Sequence, residues 1–420
     1  MTTRIRRGVF GLLFALVSSA SAANVRIDGE QFFVVDGKRV FPFFFMLAPP
    51  PDGRTPFGED AWRELKQYGT VFHHCNVLPG KWGSAGEARI DGMLARSAET
   101  GLLCAVAIRD LDAPKPGDAA AEKELRRIIA KYKDHPGLGI WKGSDEPEWG
   151  KVAPERCQRF YDIVHESDPN HPVWVLQAPR GTPESLKRYD AACDIAGLDI
   201  YPVSYPPGIH SHLPNKSVSV VGDYTRWIRA IHGNARPVVM CLQICWSGVA
   251  NPGKTLRFPT FPEQRFMSYQ AIINGARGLL YFGGGYPECL NERDRALGWN
   301  WTYYDQVLKR VLNELKPGGP LYGALVVPDA ELGVTVQGAT DVEFTVRETA
   351  EAVFLIAAKR EGSTVRVQFR GLPGWLREGQ VLFEEPRKVV ADGGAFSDWF
   401  GPNEVHVYRF ANRGGARARR

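Results

Sequence analysis

The segment GLLCAVAIRDLDAPKPGDAAAEKELRRIIAKYKDHPGLGIWKGSDEP, residues 101–147, contains the pattern that decides the fold. Two short apolar runs, 102–108 and 139–143, lie on either side of an amphipathic stretch of helical period at 121–132. Apolar runs without polar alternation, joined by a helix, are typical of neighbouring strands in a parallel sheet that is covered on both faces. The segment therefore predicts a strand, a helix and a second parallel strand.

The same unit repeats along most of the chain. Strand-like runs occur at 40–46, 70–77, 102–108, 139–143, 172–177, 195–201, 237–245 and 278–282. Helical stretches occur at 59–68, 87–100, 121–132, 153–166, 183–190, 224–231, 262–274 and 304–315. Eight strands that alternate with eight helices predict an α/β fold, the (β/α)8 or TIM barrel. Upstream, VRIDGEQFFVVDGKRVF has turn signals at Asp28-Gly29 and Asp36-Gly37 and predicts a hairpin that plugs the barrel floor.

The pattern changes after the sequence KPGGP at 316–320. From about residue 332 the apolar residues alternate with polar ones at a period of two, as in GVTVQ, VEFTVRE and TVRVQFR. This period is typical of antiparallel strands with one buried face. We therefore predict a barrel domain with its hairpin over 24–323 and a β-sandwich domain over 330–412, packed together because the connector is short.

The two ends of the chain are expected to lie outside these domains. Arg4, Arg6 and Arg7 precede an apolar run at 9–17 and small residues at 18–23, which is the pattern of a secretory signal peptide over 1–23. The tail 413–420 is basic and rich in glycine and alanine, so we expect it to be disordered. The sequence predicts a secreted or periplasmic protein without a membrane segment after signal cleavage.

The charge distribution gives little support for a nucleic-acid partner. The formal net charge is +5, and loss of the three signal-peptide arginines leaves +2. Four further arginines lie in the tail 413–420, so the body between the two ends is near −2. Because the positive charge lies at the ends, no nucleic acid is expected among the partners.

Motifs for metals and common cofactors are missing from the sequence. The seven cysteines form no CxxC pair, and Cys241 and Cys245 have no further ligand at zinc-like spacing. His73 and His74 are adjacent in a predicted strand and should point to opposite faces, so they cannot bind one ion together. A phosphate loop ending in GKS or GKT and a GxSxG elbow are absent. We expect no cofactor and no metal.

Polar and aromatic residues collect at the carboxyl ends of the predicted barrel strands, where barrel enzymes place their active sites. Carboxylates, amides and aromatic rings around one mouth are typical of a carbohydrate site. The candidate substrate-binding residues are His74, Asn76, Asp145, Gln177, Tyr201, Gln243, Trp246 and Tyr281.

Asp145 and Glu146 are adjacent at the end of the fourth strand. Since successive strand residues point to opposite sides, we expect one acid to reach the pocket while its neighbour braces the loop. A carboxyl group beside Trp141 and Trp149 would be desolvated, which would raise its pKa and suit a general acid. Glu146 is the candidate acid.

A second catalytic carboxylate is expected across the mouth. Asp199, at the end of the sixth strand, is the first candidate, followed by Asp110 and Glu288. Glu146 and Asp199 are therefore the predicted catalytic pair.

The layout resembles the TIM-barrel glycoside hydrolases of clan A. DHPGLGIWKGSDEPEWG (134–150) is similar to the strand-four region of barrel families that read DEP, and GLDIYP (197–202) is similar to their strand six. The hairpin at 25–41 and the segment FSDWFGPNEVHVYRF (396–410) also resemble parts that accompany such barrels. The resemblance covers nearly the whole mature chain and implies that Glu146 is the acid/base residue.

The chain departs from that family at two positions. Asp145 stands where the family usually has Asn, and Gln243 stands where it has the nucleophilic Glu of strand seven. A neutral amide can neither attack an anomeric carbon nor stabilise an oxocarbenium ion by charge. The expected function is a secreted glycoside hydrolase that acts on oligo- or polysaccharides with Glu146 as general acid.

Three other functions remain open at this point. A substrate-assisted hexosaminidase would use Asp145 and Glu146 and would need no nucleophile from the enzyme. A barrel that binds glycans without cleaving them would also tolerate Gln243. A different kind of barrel hydrolase is the last alternative.

Overall fold

The computed structural model describes residues 23–244, 257–285 and 289–412. The first described elements are three antiparallel strands, β1 (Val25–Ile27), β2 (Phe33–Val35) and β3 (Lys38–Val40), which form one sheet in sequence order. The predicted hairpin is present, with a third strand after the second turn. The ring of Phe33 lies 6.1 Å from that of Phe44 and 6.2 Å from that of Phe72 in the barrel. The sheet therefore closes the barrel floor.

Eight parallel strands close into a barrel, as the sequence predicts. They are β4 (Phe43–Phe45), β5 (Thr70–Val77), β6 (Leu103–Ile108), β7 (Leu138–Asp145), β8 (Val173–Gln177), β9 (Ile195–Ile200), β10 (Val238–Gln243) and β11 (Gly278–Phe282). Each strand pairs with its successor, and β11 pairs with β4 to complete the ring. The carboxyl ends of all eight strands therefore surround one mouth.

Helices alternate with these strands. They are α1 (Ala61–Gln67), α2 (Ser84–Thr100), α3 (Ala119–Tyr132), α4 (Pro154–Ser167), α5 (Pro183–Lys187), α6 (Val220–Ile231) and α7 (Phe261–Ile273), with a 3₁₀ turn at Asp190–Ala192. Polar caps fix several helix starts. The Asp60 carboxylate accepts hydrogen bonds from the first backbone N–H groups of α1, and Thr260 forms a capping box with Glu263 at α7.

Several short helices follow in the described part of the chain between β11 and the second domain. They are α8 (Glu292–Ala296), α9 (Trp301–Tyr303), a π-helical turn (Tyr304–Leu308), α10 (Lys309–Leu315) and α11 (Tyr322–Leu325). The helix predicted at 304–315 thus begins three residues earlier and contains a π turn. Within the described ranges, no helix is long and apolar enough to cross a membrane.

The C-terminal part is a two-sheet antiparallel sandwich, as predicted. Its strands are β12 (Thr335–Gln337), β13 (Val342–Glu348), β14 (Ala352–Lys359), β15 (Val365–Arg370), β16 (Glu378–Leu382), β17 (Lys388–Val390), β18 (Ala395–Phe400) and β19 (Val405–Ala411). One sheet has the order β12-β15-β18 and the other the order β13-β14-β19-β16-β17.

The five-stranded sheet packs on the barrel helices. Phe354 and Ile356 of β14 belong to the same buried apolar cluster as the barrel helices, whereas Val353 and Leu355 face the sandwich interior. Ion pairs add to this contact: Arg360 lies 2.8 Å from Asp223 of α6. Because one strand is buried on both faces, the sandwich is fixed against the barrel.

We predict that a methyl group at Gly139 destabilises the barrel. An added Cβ would lie 2.6 Å from the Phe72 ring and 2.9 Å from the Leu103 Cβ, so Gly139→Ala should cost about 1–3 kcal/mol of unfolding free energy in urea denaturation. The control is Gly92→Ala on the exposed face of α2, where nothing lies within 4 Å. The control should gain about 0.5–1 kcal/mol, and equal effects of both changes would contradict this packing.

Candidate functional site

The inward-facing residues of several barrel strands meet at the mouth. In β9, Ile195 faces the lumen, and the alternation continues through Asp199 to Tyr201 just beyond the strand. In β5, Phe72 faces the lumen, which places His74 and Asn76 on the same side. The structure therefore brings these four predicted site residues to one mouth.

His73 and His74 point to opposite sides of β5, as predicted. The ring of His73 packs 4.4 Å from that of Trp62 in α1, outside the barrel. The ring of His74 lies 6.4 Å from that of Trp174 in the lumen. Burial lowers the pKa of each histidine to about 3, so both are neutral at ordinary pH.

A break in the alternation of β7 decides how the two adjacent acids are placed. The pairing of β7 with β8 shifts register between Lys142 and Asp145. Lys142 faces the lumen, with its ammonium 5.0 Å from the Trp174 ring, and Asp145 faces the same side. Glu146 then adopts a left-handed backbone with φ 49°. Strict alternation is thus broken, and both acids are directed at the mouth.

Two cations hold Asp145 ionised. Its carboxylate lies 2.8 Å from Arg109 Nη1 and 3.2 Å from Lys142 Nζ. Burial alone would raise the pKa of Asp145, but the two cations lower it to about 2. Lys142 is buried and also donates to the carbonyls of Gly143 and Ser144, at 3.0 and 3.1 Å. Asp145 is therefore a fixed negative charge at any ordinary pH.

Asp145, Glu146 and Asp199 together form a cluster of three neighbouring carboxyl groups, which we call the acidic group. Burial and then the Asp145 charge raise the pKa of Glu146. Burial and then the charges of Glu146 and Asp145 raise the pKa of Asp199 well above its usual range. The two carboxyl groups interact, although neither Asp199 oxygen has a hydrogen-bond partner of good geometry. Asp199 is 1% exposed and Glu146 is half-buried, so Glu146 is the member that meets solvent.

His210, a residue that sequence reasoning missed, lies beside this pair. Its Nε2 is 3.8 Å from Asp199 Oδ2, and its Nδ1 accepts a hydrogen bond from the backbone N–H of Tyr201 at 3.1 Å. Its ring stacks on that of Tyr201 at 4.6 Å, and Tyr201 stacks on Phe282 at 5.4 Å. Burial lowers the pKa of His210 to about 3, so it is neutral and its proton is on Nε2. Histidines in a Pro-rich loop are typically exposed, so the sequence favoured a surface position, whereas the His210 side chain is only 21% exposed.

Gln243 is buried and bonded to backbone groups. Its Nε2 donates to the carbonyls of Val203 and Arg257, at 2.9 and 2.7 Å, and its Oε1 accepts from the Val203 N–H at 3.0 Å. The side chain is 0% exposed, and both amide hydrogens are used within the protein. Gln243 thus holds the loop after β9 in place rather than directing a hydrogen at the mouth.

Two other candidates do not face the mouth. The Tyr281 hydroxyl lies 3.3 Å from the Ser268 hydroxyl of α7, because Leu280 and not Tyr281 is the inward residue of β11. Gln177 follows the inward Leu176, and its Oε1 accepts from the Glu148 N–H at 3.4 Å. In both strands the polar residue follows an inward-facing leucine, so its position near the carboxyl end does not by itself direct it to the mouth.

The two tryptophans near Glu146 do not desolvate it. Trp141 faces away from the lumen and donates to Asp168 at 2.8 Å, and Trp149 is 61% exposed. Asp110 accepts hydrogen bonds from the backbone of Gly80 and Trp82 and braces a loop. Trp246 and Glu288, the remaining candidates, lie outside the described residues.

Besides the acidic group, the chain has cysteines and other side chains of the types that bind metals. Five of the described cysteines are free and buried: Cys75, Cys104, Cys157, Cys193 and Cys241. In the part of the chain that the structure describes, no three His, Cys, Asp or Glu side chains converge as metal ligands.

In sequence, the chain matches no protein-family profile and no curated relative. Solved structures do resemble it. A glycoside hydrolase family 5 structure from Bacteroides vulgatus has a TM-score of 0.61 at 13% identity, over 92% of this chain and 93% of its own. Another structure described as a glycoside hydrolase has a TM-score of 0.60 at 13% identity, over 93% and 97%. An Anoxybacillus α-amylase has a TM-score of 0.57 at 10% identity, over 90% and 100%. The predicted resemblance to TIM-barrel glycoside hydrolases is confirmed at the level of the fold.

We predict that Gln243→Glu destabilises the protein by about 3 kcal/mol. The change removes the amide hydrogens from the Val203 and Arg257 carbonyls and places a buried carboxylate against them. Urea denaturation near pH 7 measures the loss. Gln337→Glu on exposed β12 is the control and should change stability by less than about 0.5 kcal/mol. A fully stable Gln243→Glu protein would show that these hydrogen bonds are not made.

Proposed function

We propose that the protein hydrolyses glycosidic bonds, with Glu146 as the general acid and Asp199 as its carboxyl partner. The observation that supports this most directly is the separation of proton affinities among three neighbouring acids. Asp145 has a pKa of about 2, whereas the pKa values of Glu146 and Asp199 are raised. Such separation within one site is how glycosidases keep an acid protonated beside an ionised carboxylate.

The pair of Glu146 and Asp199 is suited to hold one proton at neutral pH. Two buried carboxyl groups beside the permanent charge of Asp145 cannot both ionise at low cost. Asp199 is enclosed, whereas Glu146 is half-buried at the mouth. Glu146 is therefore the member that presents the proton to a substrate, and Asp199 shares that proton with it.

The proposed reaction balances as a hydrolysis. Glu146 gives its proton to the glycosidic oxygen while the bond between that oxygen and the anomeric carbon breaks. Water adds its hydroxyl to the anomeric carbon and returns a proton to the pair. The negative charge that faces the positive transition state comes from the ionised member of the Glu146–Asp199 pair, because Asp145 is paired with Arg109 and Lys142 and Gln243 is neutral. The substrate is a carbohydrate, as an oligo- or polysaccharide or another glycoside.

Substrate-assisted cleavage of 2-acetamido sugars is the second candidate. The permanent charge of Asp145 directly beside Glu146 favours it, because such a charge can orient and polarise an acetamido group that attacks the anomeric carbon. No nucleophile from β10 is then needed. Action outside the cytoplasm is proposed for either candidate from the segment 1–23, which lies outside the described residues.

We predict that Glu146→Gln lowers kcat/KM on glycosides by on the order of 100- to 10,000-fold, because it removes a proton donor and little volume. The control is Glu148→Gln, two residues further on, whose side chain is not part of the acidic group and which should keep activity. Initial rates over a panel of glycosides, with and without a 2-acetamido group, give the measurement.

Other results of that panel would decide among the alternatives. Equal losses in both variants would contradict the role of Glu146. Cleavage of 2-acetamido sugars alone would select the substrate-assisted reaction. If no glycoside is cleaved while soluble glycans still raise the melting temperature, the barrel binds glycans and does not hydrolyse them.

We predict that Asp199→Asn moves the alkaline limb of the pH profile to lower pH. In the native protein the pair keeps a proton above the usual range of Glu, so activity is present at low pH and falls as pH rises through the raised pKa. Asparagine cannot share that proton, and its amide can donate to the ionised Glu146, so the proton is lost at lower pH. The dependence of kcat/KM on pH tests this. An unchanged alkaline limb would show that the two carboxyl groups titrate independently.

A further inference from the structure

A cavity of about 630 Å³ opens at the mouth on the side of β4 and β5. Its walls are mostly aliphatic. They include Met46, Leu47, Pro49, Val77, Leu78 and Met93. None of the described residues that line it is acidic, and none is Phe, Tyr or Trp. A sugar ring is usually held by aromatic faces and by carboxylates or amides, so this lining does not suit a chain of sugars.

The cavity is preformed because indole groups hold its wall. The Trp299 indole N–H donates to the Leu47 carbonyl at 2.8 Å. The Trp62 indole N–H donates to the Pro49 and Pro50 carbonyls, at 3.2 and 3.1 Å. Both tryptophans are at most 1% exposed. A wall fixed in this way requires little ordering when a ligand enters.

Two large apolar side chains of this wall are exposed to solvent. Leu78 is 57% exposed and Leu47 is 37% exposed. The exposed cations Lys81 and Arg89 also reach the cavity, and Arg89 Nε donates to the Asn76 carbonyl at 3.1 Å. Exposed apolar surface around a concave site is typical of a place where an apolar ligand binds.

Buried polar atoms on the cavity wall lack hydrogen-bond partners of good geometry. The ring nitrogens of His74, a residue only 4% exposed, make no hydrogen bond of good geometry, and their one polar contact is with the Met46 backbone. The Asn76 Oδ1 is buried and also makes no hydrogen bond of good geometry. Buried polar atoms are normally satisfied, so these atoms are suited to receive a polar group of a ligand.

The cavity adjoins the acidic group through His74, which lines the cavity and faces the barrel lumen. The His74 ring lies 6.4 Å from the Trp174 ring, which lies 5.0 Å from Lys142 Nζ, and that ammonium lies 3.2 Å from Asp145. A ligand in the cavity would therefore end beside the acids, with His74 and Asn76 at the boundary.

We propose that this cavity binds the apolar aglycone of a glycoside whose sugar lies at Glu146. The proposal rests on the proposed function and specifies its substrate class: a single sugar linked to an apolar group, rather than the interior of a polysaccharide. Protonation by Glu146 would release the sugar and leave the apolar alcohol in the cavity.

The test measures binding of 2-naphthol, an aglycone analogue without a glycosidic bond, to the whole protein by fluorescence titration. Leu78→Asp should weaken binding at least tenfold, because it places a charge in the apolar wall, and Leu47→Asp should act in the same direction. Phe57→Asp is the control, since Phe57 is 83% exposed and is not part of the wall. This control should bind naphthol as the native protein does.

The two proposals can fail separately. Absence of naphthol binding, equal effects of Leu78→Asp and Phe57→Asp, or displacement of naphthol by cellobiose would overturn the aglycone site, whether or not glycosides are cleaved. Naphthol binding that depends on Leu78, together with no cleavage of any glycoside, would support the apolar site and reject the hydrolase. If aryl glycosides are cleaved, Leu78→Asp should raise their KM at least tenfold and leave kcat nearly unchanged.

Discussion

The ion pairs of Asp145 with Lys142 and Arg109 are the interaction on which the mouth of this barrel depends. An ammonium buried in the lumen needs a counter-charge and hydrogen-bond acceptors for its N–H groups, because desolvation of an unpaired ion costs several kcal/mol. Lys142 obtains them from Asp145 and from two carbonyls of its own strand. The register shift in β7 between Lys142 and Asp145 permits this arrangement. A regular strand would direct residues 142 and 145 to opposite sides.

The same charges determine where protons reside. Asp145 is held ionised, and its charge disfavours ionisation of both Glu146 and Asp199. One strand distortion therefore places a fixed anion beside two carboxyl groups whose pKa values are raised. Lys142 and Arg109 are positioning residues in this scheme, since they act through Asp145. The left-handed backbone at Glu146 costs conformational energy, as is common at functional sites.

Gln243 gives the opposite side of the mouth its shape. The amide donates to and accepts from Val203 in the loop after β9 and donates to the Arg257 carbonyl before α7, a combination that a carboxylate cannot make. That loop carries His210 to Asp199 and stacks it on Tyr201. Position 243 therefore carries an amide that holds backbone groups in place. This amide stands where the family that the chain resembles has an acid.

The sequence by itself determined the barrel, the floor hairpin and the sandwich, because strand and helix periods are local patterns. It also placed Asp199, His74 and Asn76 at the mouth, since β9 and β5 alternate regularly. Only the tertiary structure decided that Asp145 and Glu146 both face the mouth, that Tyr281 turns to α7, and that His210 joins Asp199. These outcomes depend on a bulge, on the register between neighbouring strands and on contacts between residues that are far apart in the chain. Such contacts leave no periodic signal in the sequence.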